Sequence, residues 1–224
     1  MCGRFTLFEP DRSLAGIFGV AAAGLPGPRY NISPSQPIAV VRISPGAERR
    51  RELVPLRWGL VPSWAKDPSI GSRMINARAE TVPEKPAFRG AWKSRRCLIP
   101  ANGFYEWQRR NGRKQPWYVR MRDRAPFAIA GLWERREAPP GEPLETCALI
   151  TTEANDLLAP IHGRMPAILP PAEFDRWLSC PAEEAQRLRP LLRPYPPEEM
   201  EAFEIGLRVN NPGNDAPDLI EPVA

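Results

Sequence analysis

Phe127-Ala128-Ile129-Ala130-Gly131-Leu132-Trp133 is an unbroken apolar run of strand length, too short for a typical helix and rich in side chains that suit a buried pleated surface. Residues 38–43, 53–60, 97–99, 117–121 and 147–152 read the same way. Toward the C-terminus Phe203, Ile205, Leu207 and Val209 alternate with Glu204, Gly206 and Arg208, the period of a half-buried strand. Helical stretches are fewer and shorter: 86–94, 155–159, 172–178 opened by Pro171, and 182–188. This pattern predicts an α+β fold with a curved, barrel-like, mostly antiparallel sheet and peripheral short helices.

A length of 224 residues fits one domain spanning 1–224 better than two substantial ones. The 29 prolines and 16 glycines make up about a fifth of the chain, below the ~25–30% that marks low-complexity disorder, and they break it into short elements. A hydrophobic content of 42% and seven tryptophans supply a real core. Residues 1–13 carry Arg4, Glu9, Asp11 and Arg12, so no signal peptide is expected there. The longest apolar tract, 16–25, is Gly-rich and short of the ~20 residues that span a bilayer. A cytoplasmic protein with no membrane partner is expected. Cys2, Cys97, Cys147 and Cys180 are widely separated and His162 is the only histidine, which argues against a metal site, and no cofactor is called for. Cys97, Cys147 and Cys180 read as structural free thiols. A net charge of +5 suits a nucleic-acid partner. The densest basic runs, Arg49-Arg50-Arg51 and Arg109-Arg110 with Arg113-Lys114, sit beside turn formers and read as solvated loop tips.

Chemistry concentrates first in Met1-Cys2-Gly3-Arg4-Phe5. Initiator methionine is normally removed before a small second residue, which would leave Cys2 with both a thiol and a free α-amine. An α-amine titrates near 7.7–8.0 and a thiol near 8.5, so each is partly nucleophilic at neutral pH. An aldehyde is the natural target: the amine condenses to an imine and the adjacent thiol closes a five-membered thiazolidine. The competing reading is that Cys2 is an ordinary small buried residue.

Further motifs weigh against that bland reading. They are Ile75-Asn76-Ala77-Arg78-Ala79-Glu80-Thr81, Pro100-Ala101-Asn102-Gly103-Phe104-Tyr105-Glu106-Trp107 and Pro160-Ile161-His162-Gly163-Arg164-Met165-Pro166. With the opening Cys-Gly-Arg-Phe, the 30–34 and 57–64 segments, and Val209-Asn210-Asn211-Pro212 with Asp218-Leu219-Ile220, the chain resembles the SRAP (SOS response-associated peptidase) family, known as sensors of abasic sites in single-stranded DNA. The resemblance implies that Cys2 is a crosslinking nucleophile and that Asn76, Glu106 and His162 complete the active site. Glu106, beside Tyr105 and Trp107, would be a carboxyl whose pKa is raised toward working pH and moves protons. His162 would assist opening of the deoxyribose ring, and Asn76 would donate its amide to a developing oxyanion or sugar oxygen.

The same resemblance places Arg4, Arg78 and Arg164 on phosphates, offers Trp64 and Trp107 for base stacking, and matches Asn31 and Thr151 to pocket positions. Trp58 reads as core, and the tracts 21–28 and 134–145 as surface loops. The implied partner is single-stranded DNA containing an abasic site, bound by a monomer drawn to the nucleoid through that DNA. Two other readings share these residues: a cysteine peptidase, whose narrowest form removes Met1 alone, built on Cys2, His162 and Glu106, and a plain single-strand-binding module in which Cys2 is incidental.

Overall fold

A computed structural model of the protein describes residues 2–21, 27–137 and 143–223. In chain order the strands are β1 (Phe5–Leu7), β2 (Arg29–Ile32), β3 (Pro37–Ile43), β4 (Arg51–Trp58), β5 (Asn76–Arg78), β6 (Arg96–Ala101), β7 (Gly103–Arg110), β8 (Arg113–Met121), β9 (Phe127–Arg136), β10 (Leu144–Glu153), β11 (Arg164–Pro166), β12 (Ile168–Leu169) and β13 (Met200–Glu204). Three short α-helices accompany them: α1 (Asp11–Phe18), α2 (Arg89–Ser94) and α3 (Phe174–Ser179).

The apolar runs build a closed barrel. β10 pairs in parallel with β4, then β4 with β3, β3 with β6, β6 with β9, and β9 back to β10, all antiparallel after the first. β5 and β11 extend the sheet from β10, and β12 from β9. β9 is buried from Phe127 through Glu134, as strands of a filled barrel are. The second sheet runs β13-β8-β7-β1-β2 and packs against the barrel through one continuous core that includes Cys2, Phe5, Trp58 and Phe104. Trp58 is fully buried, with Phe5 edge-on at 5.3 Å. The helices lie outside; buried Arg96 ties α2 and α3 to β6 by donating to the Trp92 and Lys93 carbonyls, each at 2.7 Å, and to that of Trp177 at 2.6 Å. No helix among the described residues is long and apolar enough to cross a membrane.

Several expected elements differ. Residues 155–159 form a turn, and 182–188 belong to a 3-10 segment, Ala182–Leu191, with Pro190 inside it. The alternating C-terminal run is strand only to Glu204. Glu204 pairs with Trp117, and the next partner, Pro116, has no N–H to continue the ladder, although its carbonyl still accepts from the Ile205 N–H at 3.1 Å. The chain then turns through a 3-10 segment, Leu207–Asn210, that buries Val209 and leaves Leu207 62% exposed. The 134–145 tract is strand at both ends, with Glu134 buried against Arg95 at 2.8 Å; residues 138–142 lie outside the described residues, as do 22–26 of the 21–28 tract. The β7–β8 turn has φ of 49° at Asn111 and 75° at Gly112, the left-handed pair of a tight two-residue hairpin.

Candidate active site at the seam between the sheets

β1 is three residues long, yet it positions the site. Phe5 faces Phe104 and Thr6 faces Gly103, so the same antiparallel register, continued outward, lays Gly3 beside Glu106 and Cys2 next to it. The Tyr105 N–H donates to the Arg4 carbonyl at 3.0 Å, which continues that alignment past the strand end. Gly103 is required for the close approach: a Cβ there would sit 2.3 Å from the Tyr118 ring, whose hydroxyl is 2.8 Å from that of Thr6. From the barrel side, Asn76 at the start of β5 donates its side-chain amide to the Cys2 carbonyl at 2.8 Å. Cys2 is thereby held from both sheets.

The local electrostatics separate the groups. Cys2 is fully buried, and that desolvation pushes its thiol pKa well up, so the thiol stays protonated. Glu106 is 2% exposed, and burial raises its carboxyl to about 7. His162, in the turn between β10 and β11, is half-buried and shifted downward by desolvation. Its Nδ1 accepts the Arg164 backbone N–H at 3.0 Å, which puts the proton of the neutral ring on Nε2. Gln108 on β7 donates to the Pro160 carbonyl at 2.9 Å and holds the His162 turn against the hairpin.

The cationic residues behave differently from one another. Arg4 is half-buried and held by neutral oxygens, Asn31 Oδ1 at 2.7 Å and the Val209 carbonyl at 2.9 Å; desolvation lowers its pKa. Asn31 is fully buried and does not reach the surface. Its amide nitrogen donates to the Val209, Asn211 and Asn214 carbonyls at 3.2, 3.1 and 2.8 Å, so it acts through Arg4 and the C-terminal segment. Thr151 is equally buried, its carbonyl accepting from Arg164 at 2.6 Å. Arg164 commits its fork to Glu80 at 2.6 and 3.0 Å. Arg78 is exposed on β5. Trp107 is half-buried with its Nε1 donating to Asn210 Oδ1 at 2.8 Å, and Trp64 is 61% exposed on the segment after β4.

A cleft of about 550 Å³ opens over this seam, bordered by Arg4, Glu106, Trp107, His162 and Asn210. Arg109 and Lys114 line it too. The sequence had these cations as loop tips; they are a facing pair within the β7–β8 ladder. The Asn111-Gly112 turn signal between two apolar-aromatic segments was the clue that could have placed them on strands. Glu80, within the motif around Arg78, is the other residue the reading passed over. Among the described residues no three His, Cys, Asp or Glu side chains gather as metal ligands.

Comparison with known proteins follows the same lines. The model of the SOS response associated peptidase (SRAP) family matches residues 1–212. Abasic site processing protein YoqW of Bacillus subtilis (strain 168) is 45% identical over 225 residues, covering 99% of each chain. Abasic site processing protein HMCES of Gallus gallus is 34% identical over 225 residues, which cover 88% of this chain and 66% of the longer relative. An X-ray structure of a Bacteroides thetaiotaomicron protein superposes with a TM-score of 0.86 at 27% identity over 100% of both chains.

Proposed function

The chain belongs to the SOS response associated peptidase (SRAP) family, and from that premise we propose that residues 1–224 act as one unit that processes abasic sites in single-stranded DNA by forming a covalent crosslink through Cys2. The observation that carries this reading is the β1–β7 register, which sets the Cys2 segment beside a buried carboxyl of pKa about 7 while Asn76 fixes the Cys2 carbonyl from the other sheet. The names of the relatives supply the substrate class.

In this reading Met1 is removed, and the strand lies in the cleft with Arg4 and Arg78 near its phosphates, Arg164 joining them by exchanging its Glu80 carboxylate for a phosphate. Arg4 supports this assignment most directly: a half-buried guanidinium met by neutral oxygens is a site where an anion is stabilised. The abasic sugar enters the pocket and opens: the C1′–O4′ bond breaks, the C1′ hydroxyl proton passes through solvent to the ring oxygen, and neutral His162 holds that departing oxygen by a hydrogen bond from Nε2 as the C1′ aldehyde forms. The Cys2 amine attacks that carbon, and Asn76 orients the residue. Glu106, near half-ionised at neutral pH, takes the amine proton and returns a proton to the hydroxyl that leaves as water, giving an imine. The Cys2 thiol then adds across the C=N bond, its proton passing to nitrogen, and the thiazolidine closes. Water is the sole by-product. The adduct covers the lesion and prevents strand cleavage by β-elimination.

Burial of the Cys2 thiol favours this order of events over the peptidase reading. A cysteine peptidase needs a thiolate to attack first, whereas here the neutral thiol acts second, on an electrophile already attached to the same residue. Denaturing electrophoresis of protein with abasic and with intact single strands tests the proposal. A shifted band with the abasic strand only is the expected result; complexes that all dissociate on denaturation would refute covalent capture.

A further inference from the structure

The β7–β8 hairpin carries a charge arrangement that the chemistry at Cys2 does not use in full. Arg109 faces Lys114 and Arg110 faces Arg113 across the ladder, two successive like-charge pairs. Directly opposed like charges destabilise a hairpin, so a neutral solvated tip would have no need of them. All four side chains are exposed, and among the described residues their only ion pair is that of Arg110 with Glu204 at 3.2 Å. The tight Asn111-Gly112 turn holds the pairs in fixed register.

Beyond the cleft bordered by Glu106 and His162 lies a second one of about 760 Å³, bordered by Arg110, Arg113, Gln115 and Leu207. The two clefts adjoin at Lys114 and Asn210, which line both. Leu207 stands 62% exposed in it, a consequence of the ladder ending at Pro116. Cations spaced along a strand with an apolar side chain among them fit a phosphodiester backbone whose bases pack on the apolar contact.

We propose that the hairpin tip, through Arg110, Arg113 and Leu207, is a second binding subsite that holds the undamaged DNA backbone on one flank of the lesion. The proposal rests on the reading of the Cys2 cleft as the place where the lesion sits. Arg110 lies four residue steps beyond Glu106, about 13 Å of strand at ~3.3 Å per residue. At ~3.4 Å per phosphate along one stacked strand, that is roughly four nucleotides. The subsite therefore engages only strands that extend that far, and on one side only.

The test compares wild type with Arg110→Ala/Arg113→Ala on three single strands: a short abasic oligonucleotide with about one nucleotide on each side, a long abasic one with about six on each side, and an undamaged strand of the long length. Both substitutions are at exposed positions, and a Tm no lower than that of wild type verifies the fold. Affinity for both long strands should fall about tenfold at low salt, with the log–log salt slope smaller by about 1.4 for two lost single-strand contacts. Crosslinking to the short strand should keep its wild-type rate. Trimming the 5′ or the 3′ flank of the long strand should reproduce the loss from one side alone. Unchanged affinity for the long strands, or an equal loss on the short one, would overturn the subsite. The undamaged strand has no aldehyde, so this arm reads the groove even if Cys2 forms no adduct, and failure of one proposal is distinguishable from failure of the other.

Discussion

Two buried regions of this molecule treat charge in opposite ways. In the barrel, Arg42 on β3 is buried and paired with two carboxylates: Glu52 lies at 2.7 Å, Glu145 at 2.9 Å, and the Trp133 ring covers the guanidinium at 4.2 Å, while its Nη1 makes no hydrogen bond. At the seam, Arg4 is desolvated among neutral oxygens, and Glu106 is desolvated until its pKa reaches about 7. Arg42 and its two carboxylates neutralise one another and hold structure. At the seam burial displaces the pKa values of Arg4 and Glu106, and groups so displaced are concentrated where chemistry is done.

The comparison breaks first if the seam is not chemical. Cys2→Ala should abolish the denaturation-resistant adduct while leaving a species that borohydride can trap, since the amine remains and only ring closure is lost. A stable adduct from this variant on a denaturing gel would remove the thiol from the mechanism.

Next comes Glu106→Gln, expected to slow crosslinking by about 10²-fold in single-turnover assays with little change in binding. The same variant has a stability signature. Because folding raises this pKa from 4.5 to about 7, wild type loses stability as pH climbs through that window, by up to about 3 kcal/mol. The variant lacks the titrating group, so its thermal stability relative to wild type should improve steadily between pH 4.5 and pH 7 and then level off. A difference in Tm that is flat with pH would contradict a buried, raised carboxyl.

The barrel's counterpart is Arg42→Met, which strands Glu145 and Glu52. It should cost about 3 kcal/mol in urea unfolding and leave the crosslinking rate of the folded protein unchanged. A slowed rate without loss of stability would erase the distinction between the two regions. The smallest effect is expected from Arg78→Ala, a few-fold weaker capture of undamaged and abasic strands alike, with a salt slope lower by about 0.7. An effect confined to the abasic strand would place Arg78 on the lesion and away from the backbone.

What could be read from the sequence follows the same division. Barrel strands such as β3 and β9 announce themselves because both faces are buried and the run is continuously apolar. β1 and β2 are three and four residues long, too short for a period to register, although β1 positions the Cys2 segment that precedes it. Glu106, Asn76 and His162 were legible by resemblance to a family, and their meeting at one seam depends on long-range register that no local pattern encodes. Asn31 looked like a contact residue, yet its amide is spent on three backbone carbonyls. Arg109 and Lys114 were misread as loop tips because a charge run has the same composition at a strand end as in a loop. The C-terminal alternation failed for a reason that lay elsewhere in the chain, in the missing N–H of Pro116.

The most direct test of the central claim is the intact mass of the purified protein after incubation with an abasic oligonucleotide under denaturing chromatography. The account predicts a protein that has lost Met1 and a new species equal to protein plus oligonucleotide less one water, with the linkage mapped to Cys2 in the digest. A mass with no loss of water, an adduct on any other residue, or undiminished adduct formation by protein in which an added, unremovable residue turns the Cys2 amine into an amide would contradict it.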